Sequence, residues 1–275
     1  MGIGIQALQL TFSLWQDGCF KESSSIIEIG SQDIHAKDDV VASKIQKLTG
    51  KRPSSGKVTA KMLYQSLGIK NYQCIDADGM NDALIFDLNT NIRETTGFSE
   101  QFDIVTNHGT TEHCFDQMNA FKNIHELCKQ SGIMIHGLPF QGYLNHGFYN
   151  YHPKFYHDLA LSNGYSMMGM YLNIHSTLGD ITPYSDELMN YIHTPPGTDM
   201  LLFVVLRKNG SKDFVTPFDK KYSEQLLVND NYNLGNKQFF PEARDEVTDI
   251  STMRTRHVAG VLLGRIIKTV KNTFS

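Results

Sequence analysis

Apolar residues follow two patterns along the chain, and these patterns predict strands and helices in alternation. Short apolar runs predict seven strands, over residues 24–30, 72–76, 83–88, 102–106, 133–138, 166–172 and 200–207. Apolar residues at helical spacing predict helices over residues 5–15, 38–48, 57–67, 113–130, 154–162 and 255–270. Because such alternation is typical of α/β proteins, we expect a parallel sheet with helices on both faces.

The same patterns divide the chain into regions. Residues 1–23 are a predicted N-terminal helical extension, residues 24–210 contain the predicted sheet, and residues 211–275 are a C-terminal extension with a terminal helix. Within the sheet region, residues 174–199 contain three prolines and no clear strand pattern. We interpret this segment as an insertion over one end of the sheet, since a loop of this length in a compact domain is often functional.

Composition and charge exclude several classes of protein. The chain has 275 residues, with 25 Lys and Arg against 29 Asp and Glu, so no strong positive charge is present to bind nucleic acid. The longest purely apolar run, residues 200–206, is far shorter than the roughly 20 residues that span a bilayer. Four cysteines lack CxxC spacing, and the histidines between residues 108 and 157 lack HExxH spacing. We therefore expect a cytoplasmic protein with no membrane span, no disulfide framework and no metal site.

Polar or small residues end five of the predicted strands. In an open parallel sheet, ligands bind beyond the carboxyl ends of the strands, so these residues are the candidates for chemistry. The five ends read Glu28-Ile29-Gly30-Ser31, Asp76-Ala77-Asp78, Asp87-Leu88-Asn89, Asn107-His108-Gly109 and His136-Gly137-Leu138-Pro139. Acids at three successive ends indicate a ligand site more strongly than any single end does.

The strand ends, read as a series, resemble the motifs of class I S-adenosylmethionine-dependent methyltransferases. The resemblance covers residues 24–172. The fourth strand and the residues after it, 102–113, contain Asp103 and the Glu112-His113 pair, as the family pattern does. It implies a Rossmann-like, mostly parallel seven-stranded sheet with an antiparallel last strand. It also implies S-adenosyl-L-methionine as cofactor and methyl transfer to a small-molecule or glycan-type acceptor.

The resemblance assigns the methionine and ribose parts of the cofactor to the first two strand ends. Glu28, Gly30 and Ser31 would frame the methionine moiety. Asp76 would accept hydrogen bonds from both ribose hydroxyls, for which a carboxylate is suited. The first motif departs from the family pattern because it contains one glycine instead of two or three.

The adenine and the methyl group are assigned to the next two strand ends. Asp87 and Leu88 would face the adenine, and Asn107 and His108 would line the floor near the methyl group. Residues 78–82 are too few for a crossover helix between parallel strands, so a hairpin at this point remains an alternative to the parallel pairing that the resemblance implies.

The acceptor is assigned to residues 142–153, which resemble the segment that shapes the acceptor pocket in many small-molecule methyltransferases. A hydroxyl or amine acceptor requires a base, and histidine is the side chain best suited near neutral pH. His146 is the first candidate for this catalytic base and His136 the second, while Tyr149 would orient the acceptor.

Two other functions are compatible with the sequence. Asp76-Ala77-Asp78 follows an apolar run, as the metal-binding DxD motif of nucleotide-sugar glycosyltransferases does. The single-glycine first motif and the long insertion also suit a methyltransferase-like module that binds a partner without catalysis. In either case, the apolar faces of residues 5–15 and 255–270 could cover the core or a partner subunit in a homodimer.

Overall fold

The computed structural model describes residues 2–20, 25–53, 56–173, 181–186 and 198–217. Its strands are β1 (Gly2–Ile3), β2 (Ser25–Ile29), β3 (Asp33–Ile34), β4 (Asn71–Ile75), β5 (Phe102–His108), β6 (Cys128–Gln141), β7 (Tyr165–Leu172), β8 (Thr182–Pro183) and β9 (Met200–Lys208). Its helices are α1 (Ile5–Gln16), α2 (Asp38–Thr49), α3 (Ala60–Ser66), α4 (Ile92–Thr96), α5 (Gln117–Leu127) and α6 (Pro153–Asn163).

Seven strands form the main sheet, in the order β4-β2-β5-β6-β9-β7-β8. The strands β4, β2, β5 and β6 pair in parallel, whereas β9 is antiparallel to both of its neighbours, β6 and β7. A separate parallel pair joins β1 to β3. The predicted fold class, a mostly parallel seven-stranded sheet with an antiparallel last strand, is confirmed.

The two faces of the sheet are covered by different helices because side chains alternate along each strand. Ile27 and Ile29 of β2 share a core cluster with Phe121 of α5 and Leu159 of α6. Between them, Glu28 points to the opposite face and lies beside Tyr64 of α3. Helices therefore lie on both faces, as expected, and every residue of β2 is buried.

Capping residues fix where several helices begin and end. The side chains of Thr59 and Asp116 accept hydrogen bonds from Met62 N at 3.2 Å and Asn119 N at 2.9 Å, at the starts of α3 and α5. Gly164 ends α6 in the left-handed conformation, which glycine adopts without steric cost. The predicted helix over 113–130 is consequently shorter than expected, because it begins after Asp116 and ends at Leu127.

The predicted strand over residues 83–88 is wrong. Within this run, only Leu84 forms a bridge to the sheet, a single parallel bridge to Ile75, and Ile85 is 70% exposed. The short link from β4 leaves no room for a crossover helix, so the run cannot extend along β4. The parallel bridge also excludes the hairpin alternative. The seventh strand is instead β8, which lies in the segment 174–199 where no strand was expected.

Pro139 does not end the fifth predicted strand, which continues through it to Gln141. The neighbouring strand β5 ends where His108 pairs with Gly137, so beyond that point β6 has only β9 beside it. Pro139 pairs there with Leu201 of β9. A proline is tolerated at such a position because one side of the strand carries no ladder hydrogen bonds.

The predicted terminal helix over residues 255–270 lies outside the described residues, as does most of the 174–199 segment. Within the ranges that the structure describes, none of the helices has the length and apolar character needed to cross a lipid bilayer.

Candidate active site

A cavity of about 290 Å³ lies at the carboxyl ends of β5 and β6. The N-terminal segment before α1, the ends of β5 and β6, the loop after β6 and the strand β9 all contribute to its wall. Among the residues that line it are His35, His108, Glu112, Gly137, Tyr143 and His146. This is the edge of an open α/β sheet where ligands bind.

His108 ends β5 and is buried in the wall of this cavity. Both of its ring nitrogens lack a hydrogen-bond partner among the described residues. Burial lowers the pKa of His108 to about 4, so its imidazole is neutral near pH 7. Gly137 is required beside it, because a Cβ atom there would lie 2.7 Å from His108 Nδ1. The neutral ring thus offers the cavity an unused donor and an unused acceptor.

Glu112 lies between two histidines next to His108. Its Oε1 atom is 3.6 Å from His146 Nε2 and 3.9 Å from His113 Nε2. The side chain of Glu112 is 1% exposed and those of the histidines are 37% exposed. Both carboxylate oxygens lack a hydrogen-bond partner within the described part of the chain, and burial raises the pKa of Glu112 to about 7. The three side chains form what we call the Glu112 cluster.

A tightly turned loop, residues 142–148, places His146 over Glu112. Tyr143 and Asn145 have positive φ angles of 52° and 61°, which are unusual for residues other than glycine. The Tyr143 N–H donates to Asp199 Oδ1 at 2.6 Å, and Phe148 N–H donates to the Glu112 carbonyl oxygen at 2.7 Å. The strained backbone is held by these tertiary contacts, as is common at functional sites.

The turn after β2 contains Gly30 and Ser31, two of the residues assigned to the cofactor. Gly30 has φ +90°, and a Cβ atom there would lie 2.3 Å from Thr110 Oγ1. Ser31 N–H donates to Asp76 Oδ2 at 2.8 Å, and Asn81 Nδ2 donates to Ser31 Oγ at 2.8 Å. The structure therefore brings Gly30, Ser31 and Asp76 together. It also uses one oxygen of Asp76 to hold the turn.

Glu28 lies beneath this turn and is fully buried. The Tyr72 hydroxyl donates to its Oε2 atom at 2.6 Å. Burial raises the pKa of Glu28 to about 8, although the Tyr72 hydrogen bond acts in the opposite direction. The structure thus buries Glu28 beside Tyr72 and Tyr64, and Glu28 does not line the cavity.

Asp87 and Leu88 lie apart from the cavity residues. Asp87 is exposed, and its Oδ1 atom accepts hydrogen bonds from both the backbone and the side-chain amide of Asn89, each at 2.9 Å. Leu88 is buried in the core cluster. Because residues 83–88 form no strand, neither residue stands at a strand end, which was the basis for assigning them to the adenine.

Asn107 and His136 are buried beside each other in the core. The Asn107 amide donates to Thr111 Oγ1 at 2.9 Å and lies 3.2 Å from His136 Nδ1. The His136 ring stacks on Phe121, and burial lowers its pKa to about 3. His136 is thus packed against α5. His108, which lines the cavity, lies on a different side.

Tyr149 faces a second depression rather than the cavity at His146. Its hydroxyl donates to the Phe115 carbonyl oxygen at 2.9 Å. It lines a mainly apolar groove of about 550 Å³ between α5 and α6, together with Phe155 and Phe214. The structure therefore separates Tyr149 from His146, with which sequence reasoning had grouped it.

Sequence reasoning did not select Glu112 or His113 as site residues, although both were noted in the family pattern. Their position directly after the β5 end was the available signal. What the sequence could not reveal is their approach to His146, which depends on the shape of the 142–148 loop.

The strand order, with β9 antiparallel between β6 and β7, is that of a Rossmann-like α/β sheet. In the main sheet, β2 leads into the Gly30 turn. Its neighbour β5, which is the fourth strand predicted from the sequence, leads into the Glu112 cluster. The fold implied by the sequence resemblance is the fold that the structure has.

Several solved structures are similar to this chain. One is 1,6-didemethyltoxoflavin-N1-methyltransferase of Burkholderia thailandensis, with a TM-score of 0.42 and 9% identity over 74% of this chain and 80% of that chain. Another is the N-methyltransferase NodS of Bradyrhizobium japonicum, with a TM-score of 0.41 and 14% identity over 74% and 94% of the two chains. An O-methyltransferase of Brevibacillus brevis has a TM-score of 0.39 and 11% identity over 73% and 71%. No family model and no curated protein matches the chain.

Proposed function

We propose that the chain is an S-adenosyl-L-methionine-dependent methyltransferase that acts on a small-molecule or glycan-type acceptor. The observation that carries the proposal is the cavity at the carboxyl ends of β5 and β6, where this fold binds ligands. Buried polar atoms of His108 and Glu112 face this region without a partner in the described ranges. Since buried polar groups are normally hydrogen-bonded, a polar ligand that satisfies them is the natural occupant.

The residues of the Gly30 turn fit the cofactor in a defined way. Asp76 holds Ser31 N–H through Oδ2, so its Oδ1 atom, with a single long contact of 3.4 Å from Asp78 N, is the freer acceptor for a ribose hydroxyl. To accept both ribose hydroxyls, Asp76 would exchange its bond to Ser31. When bound, S-adenosyl-L-methionine supplies the methyl group, and alignment of the acceptor provides much of the rate.

His146 is the base that we propose for a hydroxyl or amine acceptor. Its ring is partly exposed, lines the cavity and lies beside the Glu112 carboxyl group. A carboxylate next to a histidine stabilises the imidazolium that forms when the ring takes a proton. The buried His136 and the distant Tyr149 do not share this setting, so we propose no role for them in proton transfer.

Isothermal titration with S-adenosylhomocysteine tests the proposal without knowledge of the acceptor. We expect one binding site per chain, and Asp76→Asn should weaken binding at least about tenfold because a charged acceptor for the ribose diol is lost. Asp78→Asn is the matched control, since its Oδ1 atom only holds Met80 N–H in the turn and an asparagine can do the same. Absence of binding to the native chain at millimolar ligand would refute the proposal.

The two alternatives lack comparable support. Asp76 accepts a hydrogen bond from Ser31 N–H in the turn after β2, and Asp78 accepts one from Met80 N–H in its own loop, so both acids hold backbone turns. The non-catalytic module predicts no binding in the same titration. A cytoplasmic location and a homodimer stay predictions from the sequence.

A further inference from the structure

We propose that Glu112, His113 and His146 bind one divalent metal ion at the mouth of the cavity, and that this ion coordinates an oxygen atom of the acceptor. The metal site stands on the geometry of the Glu112 cluster alone. The acceptor contact rests on the proposed function. Sequence reasoning expected no metal, because it looked for ligands spaced along one helix.

The distances within the cluster match a metal site that needs only a small adjustment. One ligand atom from each of the three side chains lies within 4.8 Å of the others, with the two closest approaches to Glu112 at 3.6 and 3.9 Å. Metal–ligand bonds of about 2.0–2.2 Å at tetrahedral angles place neighbouring ligand atoms roughly 3.4 Å apart. The two approaches to Glu112 are slightly longer than this, so rotation of the two histidine side chains toward a shared ion would complete the site.

The burial of Glu112 is a second observation that points to a bound cation. Its carboxyl group is almost completely buried, and no other described residue donates a hydrogen bond to it. The distances to the histidines are too long for hydrogen bonds. Since a buried charge is retained only when it is paired or coordinates a metal, an ion between the three groups supplies what the surroundings of Glu112 lack.

The donor set indicates which metals would bind. Two imidazoles and one carboxylate suit first-row divalent ions such as Zn²⁺, and the same set occurs in catalytic zinc sites that keep a position open. The partly exposed histidines and the adjacent cavity leave such a position free on the side away from Glu112. A hydroxyl bound there would lose its proton to solvent more readily, because a bound cation stabilises the resulting oxygen anion.

This role of His146 competes with its role as a base, since one ring nitrogen cannot do both at once. With a metal present, His146 is a ligand and the ion activates the acceptor. Without a metal, His146 takes the proton itself. Metal binding, measured directly, therefore decides between the two roles.

The test is titration of the full-length chain with Zn²⁺ after treatment with a chelator, together with the visible absorption of Co²⁺ as a spectroscopic probe. We expect one ion per chain. Glu112→Gln and His146→Gln should each weaken Zn²⁺ binding at least about tenfold and alter the Co²⁺ spectrum. His152→Gln is the matched control. His152 is also an exposed histidine, but it lines the groove between α5 and α6 and not the cavity.

Binding below one ion per chain, or equal affinity in the Glu112→Gln and native chains, would overturn the proposal. If Glu112→Gln does not fold, as judged by circular dichroism, His113→Gln replaces it, since that side chain is partly exposed. S-adenosylhomocysteine titration of the same samples separates the two proposals. A chain that binds S-adenosylhomocysteine but does not bind Zn²⁺ refutes only the metal site, and a chain that binds Zn²⁺ but not S-adenosylhomocysteine refutes only the methyltransferase.

Discussion

At the residue scale, the chemistry of the site depends on two buried side chains whose polar atoms are available for hydrogen bonds. Burial raises the pKa of the Glu112 carboxyl to about 7 and lowers that of the His108 imidazole to about 4. Groups shifted by burial and placed in a cleft are typical of functional sites. Neither has a hydrogen-bond partner among the residues with described positions, so each is available to a ligand.

Replacing His146 should separate turnover from cofactor binding. His146→Gln keeps a polar side chain but removes both the base and a metal ligand, so we expect turnover to fall by roughly 100-fold or more. The affinity for S-adenosylhomocysteine should stay within about threefold, because the assigned cofactor residues cluster around the Gly30 turn. Turnover is measured as S-adenosylhomocysteine release with the best acceptor from a panel of hydroxyl and amine compounds. Equal turnover in His146→Gln and the native chain would remove His146 from the reaction.

At the element scale, the connections after β2 and β6 position the site, and each is held by contacts from distant parts of the chain. Thr110, which follows β5, packs against Gly30 and donates to the Ile29 carbonyl oxygen at 2.7 Å. Asp199, which precedes β9, holds Tyr143 in the 142–148 loop. The loops are therefore shaped by the assembled sheet.

Gly30→Ala tests the packing of the first of these loops. Gly30 has a positive φ angle and also lacks space for a Cβ atom, which would meet Thr110 Oγ1 at 2.3 Å. Gly97, at the end of α4, has φ +74° with no described atom within 4 Å of the added Cβ, so Gly97→Ala reports conformational strain alone. In urea unfolding, we expect Gly30→Ala to lose at least about 1 kcal/mol more stability than Gly97→Ala. Equal losses would show that Thr110 and Gly30 are not in close contact.

The sequence predicted the elements well where local patterns determine them. The apolar run of β2 and the helical spacing of α5 are local signals, and both elements exist. The run over 83–88 carried a strand signal but has no room to pair, because the link from β4 is too short. Pairing is a property of the whole sheet, which a local pattern does not contain.

The candidate site was predicted in part for the same reason. His108 was selected from a strand end and His146 from the acceptor segment 142–153, and both lie at one cavity. The meeting of Glu112 with His146 requires positive φ angles at Tyr143 and Asn145. Asparagine often adopts this conformation, but tyrosine rarely does, so the sequence does not predict the loop. Asp87 was misplaced because its strand does not form.

At the scale of the whole molecule, the two ends of the described chain meet at the site. Gly2 packs so closely on the His35 ring that an added Cβ atom would overlap it at 1.9 Å, and both residues line the cavity. Leu201 and Phe203 of β9 line the cavity from the other side. The cavity is thus formed by the N-terminal segment together with β5, β6 and β9.

The stability of the whole domain should depend on pH through Glu28. The pKa of Glu28 is raised from its ordinary value of 4.5 to about 8, so the folded protein keeps a proton that the unfolded chain releases. The free energy of unfolding should therefore be highest below pH 4.5 for this group and fall as pH rises to about 8, by up to about 1.4 kcal/mol per pH unit.

Glu28→Gln should reduce this slope, because glutamine resembles the protonated acid and does not titrate. Urea unfolding between pH 5 and 8 measures it, and Glu94→Gln is the matched control, since Glu94 is 71% exposed and pairs with Lys122 at the surface. If the slopes of Glu28→Gln and the native chain coincide, Glu28 is ionised in the folded protein.

A crystal structure of the full chain with S-adenosylhomocysteine tests the central claim most directly. We predict that the sulfur atom lies in the cavity bounded by His108 and Glu112, and that the ribose hydroxyls contact Asp76. Ligand density at another surface, or an unchanged Asp76–Ser31 hydrogen bond with the cavity occupied only by water, would contradict it.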